Sequence, residues 1–439
     1  MEGKTPHDLL ATAASTWPDA IALRTDSDEW TYAELDYAAS EIAGRVPAGE
    51  RIAFRAELTP ATVAAVWGVP RGGGIAVPID PGLDVTAAAE LSASLGATMG
   101  WPEHIDQIRS ERDPVPDAPA LVVATSGSSG ASRGVILTFG NIVSAAFASQ
   151  LHLGSRRGDV WLLAMPLHHV AGLAILWRAA HDGATVHLQR GFAAEPFAAA
   201  LAGDVVWTSV VPTMLRRLLA ARLDAPRLRG MLVGGAHVPS DLLAEALSRG
   251  IPALATYGMT ETCSQASTVL PGQEAASVGT VGFPLPGVAV AVDAAPGEIG
   301  PISISGSTVA TGYVDQPSRS GPLQTNDLGY FDAAGRLVIV GRSDEVIISG
   351  GENIYPQVVE RALCFVAGVS DAVVFGVADD EWGQRVVAVV EGTGIDEDSV
   401  LGAVEGIPQY AKPKQLRVVE SLPLLPNGKI DRNGAKDAF

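Results

Sequence analysis

The sequence is short of cysteine, of charge and of long apolar runs. Cys263 and Cys364 are the only cysteines in 439 residues, and no CxxC pair occurs. A disulfide framework and a cysteine-built zinc site are therefore not expected, which suits a reducing compartment. No run of about 18 apolar residues is present to form a transmembrane helix. The opening MEGKTPHDLLATAAS lacks the apolar core of a secretory signal, so a soluble, cytoplasmic chain is the expectation. Basic residues are also scarce: 30 Lys and Arg stand against 49 Asp and Glu, for a net charge of −19 and a pI near 4.8. Such a chain repels nucleic acid and anionic membranes at long range. An anionic ligand would need a locally positive site. Charged residues make up 18% and aromatics 6%, but hydrophobic residues reach 47% with a mean hydropathy of +0.22. That leaves ample material for a core and excludes a disordered chain.

The length calls for two or more domains. Residues 1–119 read as a mixed α/β opening. Helices are expected at Leu9–Thr16, at 32–42 behind a Thr31/Glu34 capping box, and at 61–69, where Pro70 should end the helix. Short strands are expected at 51–54 and 74–79, and an exposed connector at 111–119. From 120 onward, apolar runs at 120–124, 160–165, 184–188, 205–211, 230–233 and 252–257 alternate with helical stretches near 141–152, 170–181, 192–202, 213–222 and 239–249. That alternation predicts a largely parallel sheet covered on both faces. Between about 277 and 342 the helices stop, and strands at 282–286, 288–292, 298–304 and 337–340 predict a small barrel-like β subdomain. The remainder reads as a small α+β domain. Its helices fall at 356–365 and 398–404, and its strands at 372–377, 386–390 and 415–419. The expected class is α/β, with a large domain over 1–342 and a second domain over 343–439.

Six segments carry residue types suited to chemistry. YGMTETCSQ, residues 257–265, follows a buried strand, and open α/β sheets bind ligands at the carboxyl ends of strands. There Tyr257 could stack on a purine, Thr260 could bond a phosphate oxygen, and Glu261 could hold Mg2+. TSGSSGASRG, residues 125–134, follows another buried strand and is expected to lead into a helix. Its glycines and hydroxyls could crowd donors around phosphate. It fails the P-loop pattern because Gly130 is followed by Ala131-Ser132-Arg133. His168 sits at a strand end and could gate a pocket or contact a substrate. Arg178 stands alone in the apolar GLAILWRAA and could anchor a carboxylate bidentately. Gly234-Gly235-Ala236 allows close approach to a flat ring. Asp327 and Arg342 could hold a ribose, and Lys429 in PNGKID could swing toward a phosphate. Each segment alone also has a plain structural reading: a polar loop, a core histidine, a turn or a solvated lysine.

Taken together and in this order, the six segments resemble those of the adenylate-forming superfamily. The likeness runs from TYAEL to PNGKIDR. The resemblance implies activation of a carboxylate by Mg-ATP to an acyl adenylate, then transfer to a thiol, usually that of coenzyme A. It assigns Thr125, Ser126, Gly127, Ser128, Ser129, Gly130 and Arg133 to the β- and γ-phosphates. It assigns Thr260 to the α-phosphate, Glu261 to Mg2+, and Tyr257, Gly258 and Gly234–Ala236 to the adenine. Asp327 and Arg342 would hold the ribose, and Lys429 would stabilise charge during adenylation. Asp344 would be the hinge of a mobile C-terminal lid, and Gly350, Gly351 and Glu352 would serve the thioester step. The family usually carries Pro-Lys where this chain has Ser132-Arg133. TETCSQ and PLHHVAGLAILWR, with the short N-terminal half, resemble the o-succinylbenzoate–CoA ligases of menaquinone biosynthesis. That likeness gives the acid to Arg178, His168, Gly258 and Gln265.

The reading that follows is an acid–CoA ligase using ATP, Mg2+ and coenzyme A, with no nucleic-acid partner, no membrane span, and a homodimer as the assembly open to it. Another aryl- or acyl-CoA ligase, an enzyme loading a carrier-protein thiol, and an ATP-binding relic stay open beside it.

Overall fold

The computed structural model describes residues 8–100, 115–125, 132–221, 223–424 and 430–439. The Thr31/Glu34 box forms as read. The Thr31 hydroxyl accepts from Glu34 N at 3.2 Å, and Glu34 Oε2 accepts from Thr31 N at 2.8 Å, at the head of the helix Tyr32–Ala43. The helix Leu9–Thr16 has the expected bounds. Pro70 does not end its helix, which runs from Pro60 to Arg71. Proline in a last turn removes only one intrahelical bond, and packing holds the turn in place. Gly68 and Gly72 lie so close to the neighbouring helix that a Cβ at either would come within 2.5 Å of the carbonyls of Ala39 and Ala43.

The expected parallel sheet is present as two parallel-rich sheets. The larger has nine strands in the order Phe283–Pro284, Ser267–Thr268, Ala253–Tyr257, Gly230–Val233, Trp207–Val210, Val160–Leu163, Thr185–Leu188, Ile21–Arg24, Glu29–Thr31. From Ala253–Tyr257 to Ile21–Arg24 every pairing is parallel, and the outer pairings are antiparallel. The other has six strands in the order Gly312–Tyr313, Arg133–Thr138, Pro119–Thr125, Ile75–Ile79, Arg51–Arg55, Thr98–Met99. Here Arg133–Thr138 corrects the sequence reading: residues 125–134 lead into an antiparallel strand, not a helix, and the helix Phe139–Leu153 begins only after it. The run Val135-Ile136-Leu137 is short and rich in β-branched residues, which fits a strand better than a helix start.

One hydrophobic core joins the two sheets through Leu121, Val123, Trp161, Trp207 and Leu254. The helix Val170–Asp182 runs inside this core and packs on strands of the larger sheet and on the helices Leu9–Thr16 and Phe139–Leu153. A helix packed on several sides is apolar nearly all round, which is why Arg178 is conspicuous in it.

The region near 277–342, expected to be barrel-like, forms a four-stranded antiparallel sheet. Its order is Val288–Val292, Gly300–Gly306, Leu323–Phe331, Leu337–Arg342, and among the described residues its outer strands do not pair with each other. The long strand Leu323–Phe331, unread in the sequence, carries Asp327 directly opposite Arg342. Beyond it, a further sheet joins Glu352–Ile354, Ile347–Ser349, Gly383–Gly392, Val369–Asp379 and Gln415–Val419, with its own core around Val374, Ala388 and Leu416. Arg216 reaches from the larger sheet's side to Ser370 O at 2.8 Å and Asp371 Oδ2 at 3.2 Å. Among the described residues no helix is long and apolar enough to cross a membrane.

Replacing the cap with Thr31→Ala should cost about 1 kcal/mol. Urea unfolding should register this as a lower midpoint with an unchanged slope.

Candidate active site

The strand Ala253–Tyr257 ends at Gly258, and the chain turns back on itself through the single turn Thr260–Thr262. Cys263 and Ser264 take left-handed φ values of 53° and 99°, unusual for residues with a Cβ. The return brings the Ser264 carbonyl so close that a Cβ at position 258 would lie 1.6 Å from it. Only glycine fits there. The Thr262 hydroxyl stitches the turn: it accepts from Met259 N at 3.0 Å and lies 3.0 Å and 3.1 Å from the carbonyls of Met259 and Ser264. This turn aims side chains in several directions.

Tyr257 points to the four-stranded sheet, where its hydroxyl donates to Asp327 Oδ2 at 2.6 Å. Burial and the adjacent Asp327 keep the Tyr257 phenol protonated well above its ordinary range. Burial also pushes the Asp327 carboxyl up, while Tyr257 and Arg342 pull it back. Arg342 stands 3.7 Å from Asp327 Oδ1 and grips Asp344 with two bonds of 2.9 Å and 2.8 Å. That grip holds the Asp344 carboxyl below its ordinary range. Asp327, Arg342 and Asp344 thus come together beside Tyr257.

Glu261 points the opposite way, into the six-stranded sheet. Its Oε1 accepts from the Tyr313 hydroxyl at 2.8 Å, and the Arg133 guanidinium lies 4.5 Å above the Tyr313 ring. Glu261 Oε2 has no hydrogen-bond partner among the described residues. No group of three or more His, Cys, Asp or Glu that could hold a metal occurs among them either. A single free carboxylate oxygen fits magnesium, which takes most of its ligands from water and substrate phosphates. Thr260 is half-buried beside Glu261, and its hydroxyl makes no hydrogen bond to another described residue. Thr125 Oγ1 donates to Arg133 O at 3.2 Å across the base of the 125–134 loop.

Ser264 faces the buried helix. Arg178 Nη2 donates to Ser264 Oγ at 3.2 Å, and the guanidinium lies 5.5 Å from the Trp161 ring. Arg178 is only 3% exposed. Burial lowers it to about 10, so it is still a cation at neutral pH. The nearest acid on its helix, Asp182, already accepts from the Ser155 hydroxyl and pairs with His181 Nδ1 at 2.8 Å. No described carboxylate lies within hydrogen-bond reach of Arg178. The field of Asp182 only partly offsets the burial of this cation, whose direct partner is the Ser264 hydroxyl.

His168 lies after the strand Val160–Leu163, with its Nδ1 buried and unpartnered. Burial holds its imidazole below the ordinary range despite the opposing field of Asp80. Gly234 presses on Thr256, where a Cβ would come within 2.6 Å of its methyl group, and Gly235 takes φ 78°. Next to Ala236, His237 is exposed, and burial by nearby protein and the cations of Arg361 and Arg432 lower its imidazole.

Four expected site residues, in two segments, lie away from these contacts. Gln265 is committed to the interior: its Oε1 accepts from Ser149 Oγ and its Nε2 donates to Thr268 Oγ1, both at 2.8 Å. Gly350, Gly351 and Glu352 form the exposed hairpin turn between Ile347–Ser349 and Glu352–Ile354, with Gly350 against Trp382. Ser126, Gly127, Ser128, Ser129, Gly130 and Lys429 lie outside the described residues.

Sequence reasoning missed Tyr313, Ser264 and Trp161. Tyr313 follows a glycine in a stretch without apolar periodicity. Trp161 reads as core, as most strand tryptophans do. Ser264 was inside the quoted segment, but only its unusual backbone turns it toward Arg178.

The chain matches the AMP-binding enzyme family over residues 10–100 and 91–314. It matches the AMP-binding enzyme C-terminal domain over 358–429. A relative from Bacillus pumilus named 2-succinylbenzoate–CoA ligase is 32% identical, across 99% of this chain and 98% of its own length. Among solved structures, o-succinylbenzoate CoA synthetase from Bacillus subtilis in complex with the acyl-adenylate intermediate OSB-AMP superposes with a TM-score of 0.89. It is 30% identical, with 98% of both chains covered. The same enzyme in complex with ATP and a magnesium ion gives 0.90 at 30% identity, covering 98% of this chain and 99% of that one. Family models that cover most of the chain, together with relatives that match it end to end, make the chain a member of the AMP-binding enzyme family.

Proposed function

We propose that this chain is a 2-succinylbenzoate–CoA ligase that works through an acyl adenylate. The observation that carries the choice of acid is Arg178, a buried cation with no carboxylate in reach, held by Ser264 in the turn that also carries Thr260 and Glu261. A monocarboxylic acid would leave that cation without a direct carboxylate partner. A dicarboxylic acid can place one carboxylate on Arg178 and react through the other. The full-length relatives named for this acid and for CoA support the same reading.

In the first step a carboxylate oxygen attacks the α-phosphorus of ATP, the bond to the β-phosphate oxygen breaks, and pyrophosphate leaves. Magnesium bound at Glu261 would supply positive charge to the phosphate oxygens. Thr260, with its hydroxyl uncommitted, would donate to the α-phosphate as charge grows there. Arg133 and the 125–134 loop would bind the outer phosphates. Tyr257 and the Gly234–Ala236 loop would flank the adenine, and Asp327 with Arg342 would hold the ribose. Lys429 follows the same logic. It would stabilise the charge that develops on the reacting phosphate. In the second step the thiolate sulfur of coenzyme A attacks the acyl carbonyl, and the bond to AMP breaks. The exposed turn Gly350–Glu352 would have to move to take part, with Asp344 as the hinge between a domain ending near 342 and a C-terminal lid. Neutral His168 would line the entry to the acid.

The direct test is pyrophosphate release with Mg-ATP and 2-succinylbenzoate, with and without CoA, beside benzoate, malonate and a medium-chain fatty acid. Strong CoA-dependent turnover with the first alone is expected, and turnover with another acid only would discard the substrate. Arg178→Met should raise KM for 2-succinylbenzoate by about 100-fold, a loss of about 3 kcal/mol. It should leave Tm equal or higher, because a buried unpaired charge is removed. Lys429→Ala should cripple adenylation while sparing thioester formation from preformed adenylate, measured by supplying the adenylate and CoA. Equal loss of both steps would remove Lys429 from its role.

A further inference from the structure

Tyr313 touches both the carboxylate of Glu261 and the cation of Arg133. Its strand, Gly312–Tyr313, pairs antiparallel with Arg133–Thr138, and Tyr313 stands opposite Val135. Arg133 is two residues from Val135 on the same face, which makes it the diagonal cross-strand neighbour of Tyr313. The guanidinium accordingly lies over the ring at 4.5 Å, where a planar cation can stack. On its other side the Tyr313 hydroxyl donates to Glu261 Oε1 at 2.8 Å. The backbone is tied in too: Ala310 N donates to Glu261 O at 2.8 Å, just before the strand begins.

We infer that Tyr313 is a positioning residue that sets the metal carboxylate and the phosphate-loop cation with one side chain. Its hydroxyl occupies Oε1 and fixes the rotation of the Glu261 carboxylate, so that Oε2 is the oxygen presented to magnesium. Its ring seats Arg133 at the root of the 125–134 loop. Outer-sphere hydrogen bonds of this kind hold a ligating carboxylate in its working orientation, and their loss weakens metal binding. The inference rests on the reading of Glu261 as the magnesium carboxylate.

The two halves of the role separate by substitution. Tyr313→Phe keeps the ring and removes the hydroxyl; Tyr313→Leu removes both. ATP binding is measured by calorimetry without acid, over a series of Mg2+ concentrations, for both variants and for Glu261→Gln. Thermal midpoints confirm that each variant is folded. Tyr313→Phe should raise the Mg2+ concentration needed for half-maximal ATP affinity by about 10- to 100-fold, with ATP affinity at saturating Mg2+ unchanged. Tyr313→Leu should add a loss of ATP affinity at saturating Mg2+, because Arg133 loses its seat. A parental Mg2+ dependence in Tyr313→Phe beside a shifted one in Glu261→Gln would overturn the inference alone. A parental dependence in Glu261→Gln would overturn the underlying reading of the metal carboxylate. A fall in ATP affinity for Tyr313→Phe that is the same at every Mg2+ concentration would make Tyr313 a nucleotide contact and overturn its positioning role.

Discussion

The contact between Gly258 and the Ser264 carbonyl organises this molecule. A chain leaving a central parallel strand normally continues into a loop that can sample many paths. Here it is folded back so tightly that no Cβ fits at position 258, and Cys263 and Ser264 adopt left-handed conformations to close the turn. Backbone strain of this kind persists only where the surroundings over-determine it. The surroundings do so through Tyr257 on Asp327, Glu261 on Tyr313, Ser264 on Arg178 and Gln265 on Ser149. One nine-residue segment thereby connects a four-stranded sheet, a six-stranded sheet, a buried helix and the helix Phe139–Leu153.

This arrangement explains how a chain with a net charge of −19 can receive polyanions. The cations are few, and each is aimed. Arg133 is laid on an aromatic face, Arg342 is clamped between Asp327 and Asp344, and Arg178 is sealed in the core. Long-range repulsion from the acidic surface is screened within about 8 Å at physiological ionic strength. Inside the site, short-range fields from fixed arginines and uncommitted hydroxyls act with less screening. Arg178 carries the greatest desolvation, which the field of Asp182 offsets only in part; in the proposed function an anionic group of the substrate would complete the compensation.

The sheets divide the work by geometry. Parallel strands of the larger sheet all present their carboxyl ends on one side, which is where His168, Gly234 and Tyr257 emerge. The antiparallel sheet supplies a cross-strand pair, Asp327 and Arg342, whose separation is set by register and not by loop conformation. The short strand Gly312–Tyr313 closes the edge beside Arg133–Thr138 and brings a phenol to a carboxylate far away in sequence. The C-terminal sheet meets the larger sheet's side through Arg216, which bonds Ser370 O and Asp371.

Much of this was legible in the sequence. Apolar runs and capping residues are local signals, so the alternation of strands and helices from 120 to 257 and the Thr31 capping box could be read. So could the polar, glycine-containing segment at residues 257–265 that follows a buried strand, since that signal is local too. The family resemblance added roles that no spacing alone supplies. What the sequence could not determine were relations between distant segments. The helix expected after residue 134 became a strand because a partner strand was available to pair with it. Pro70 stayed helical because two glycines allowed a close helix neighbour. Gln265 turned inward because Ser149 and Thr268 were there to meet it. Tyr313 met Glu261 and Arg133 through pairing with Val135, and Arg178 became a buried cation because the helix around it is packed on several sides. Local free energies select elements, but register, burial and the backbone angles of Cys263 and Ser264 are settled only when those elements compete for the same space.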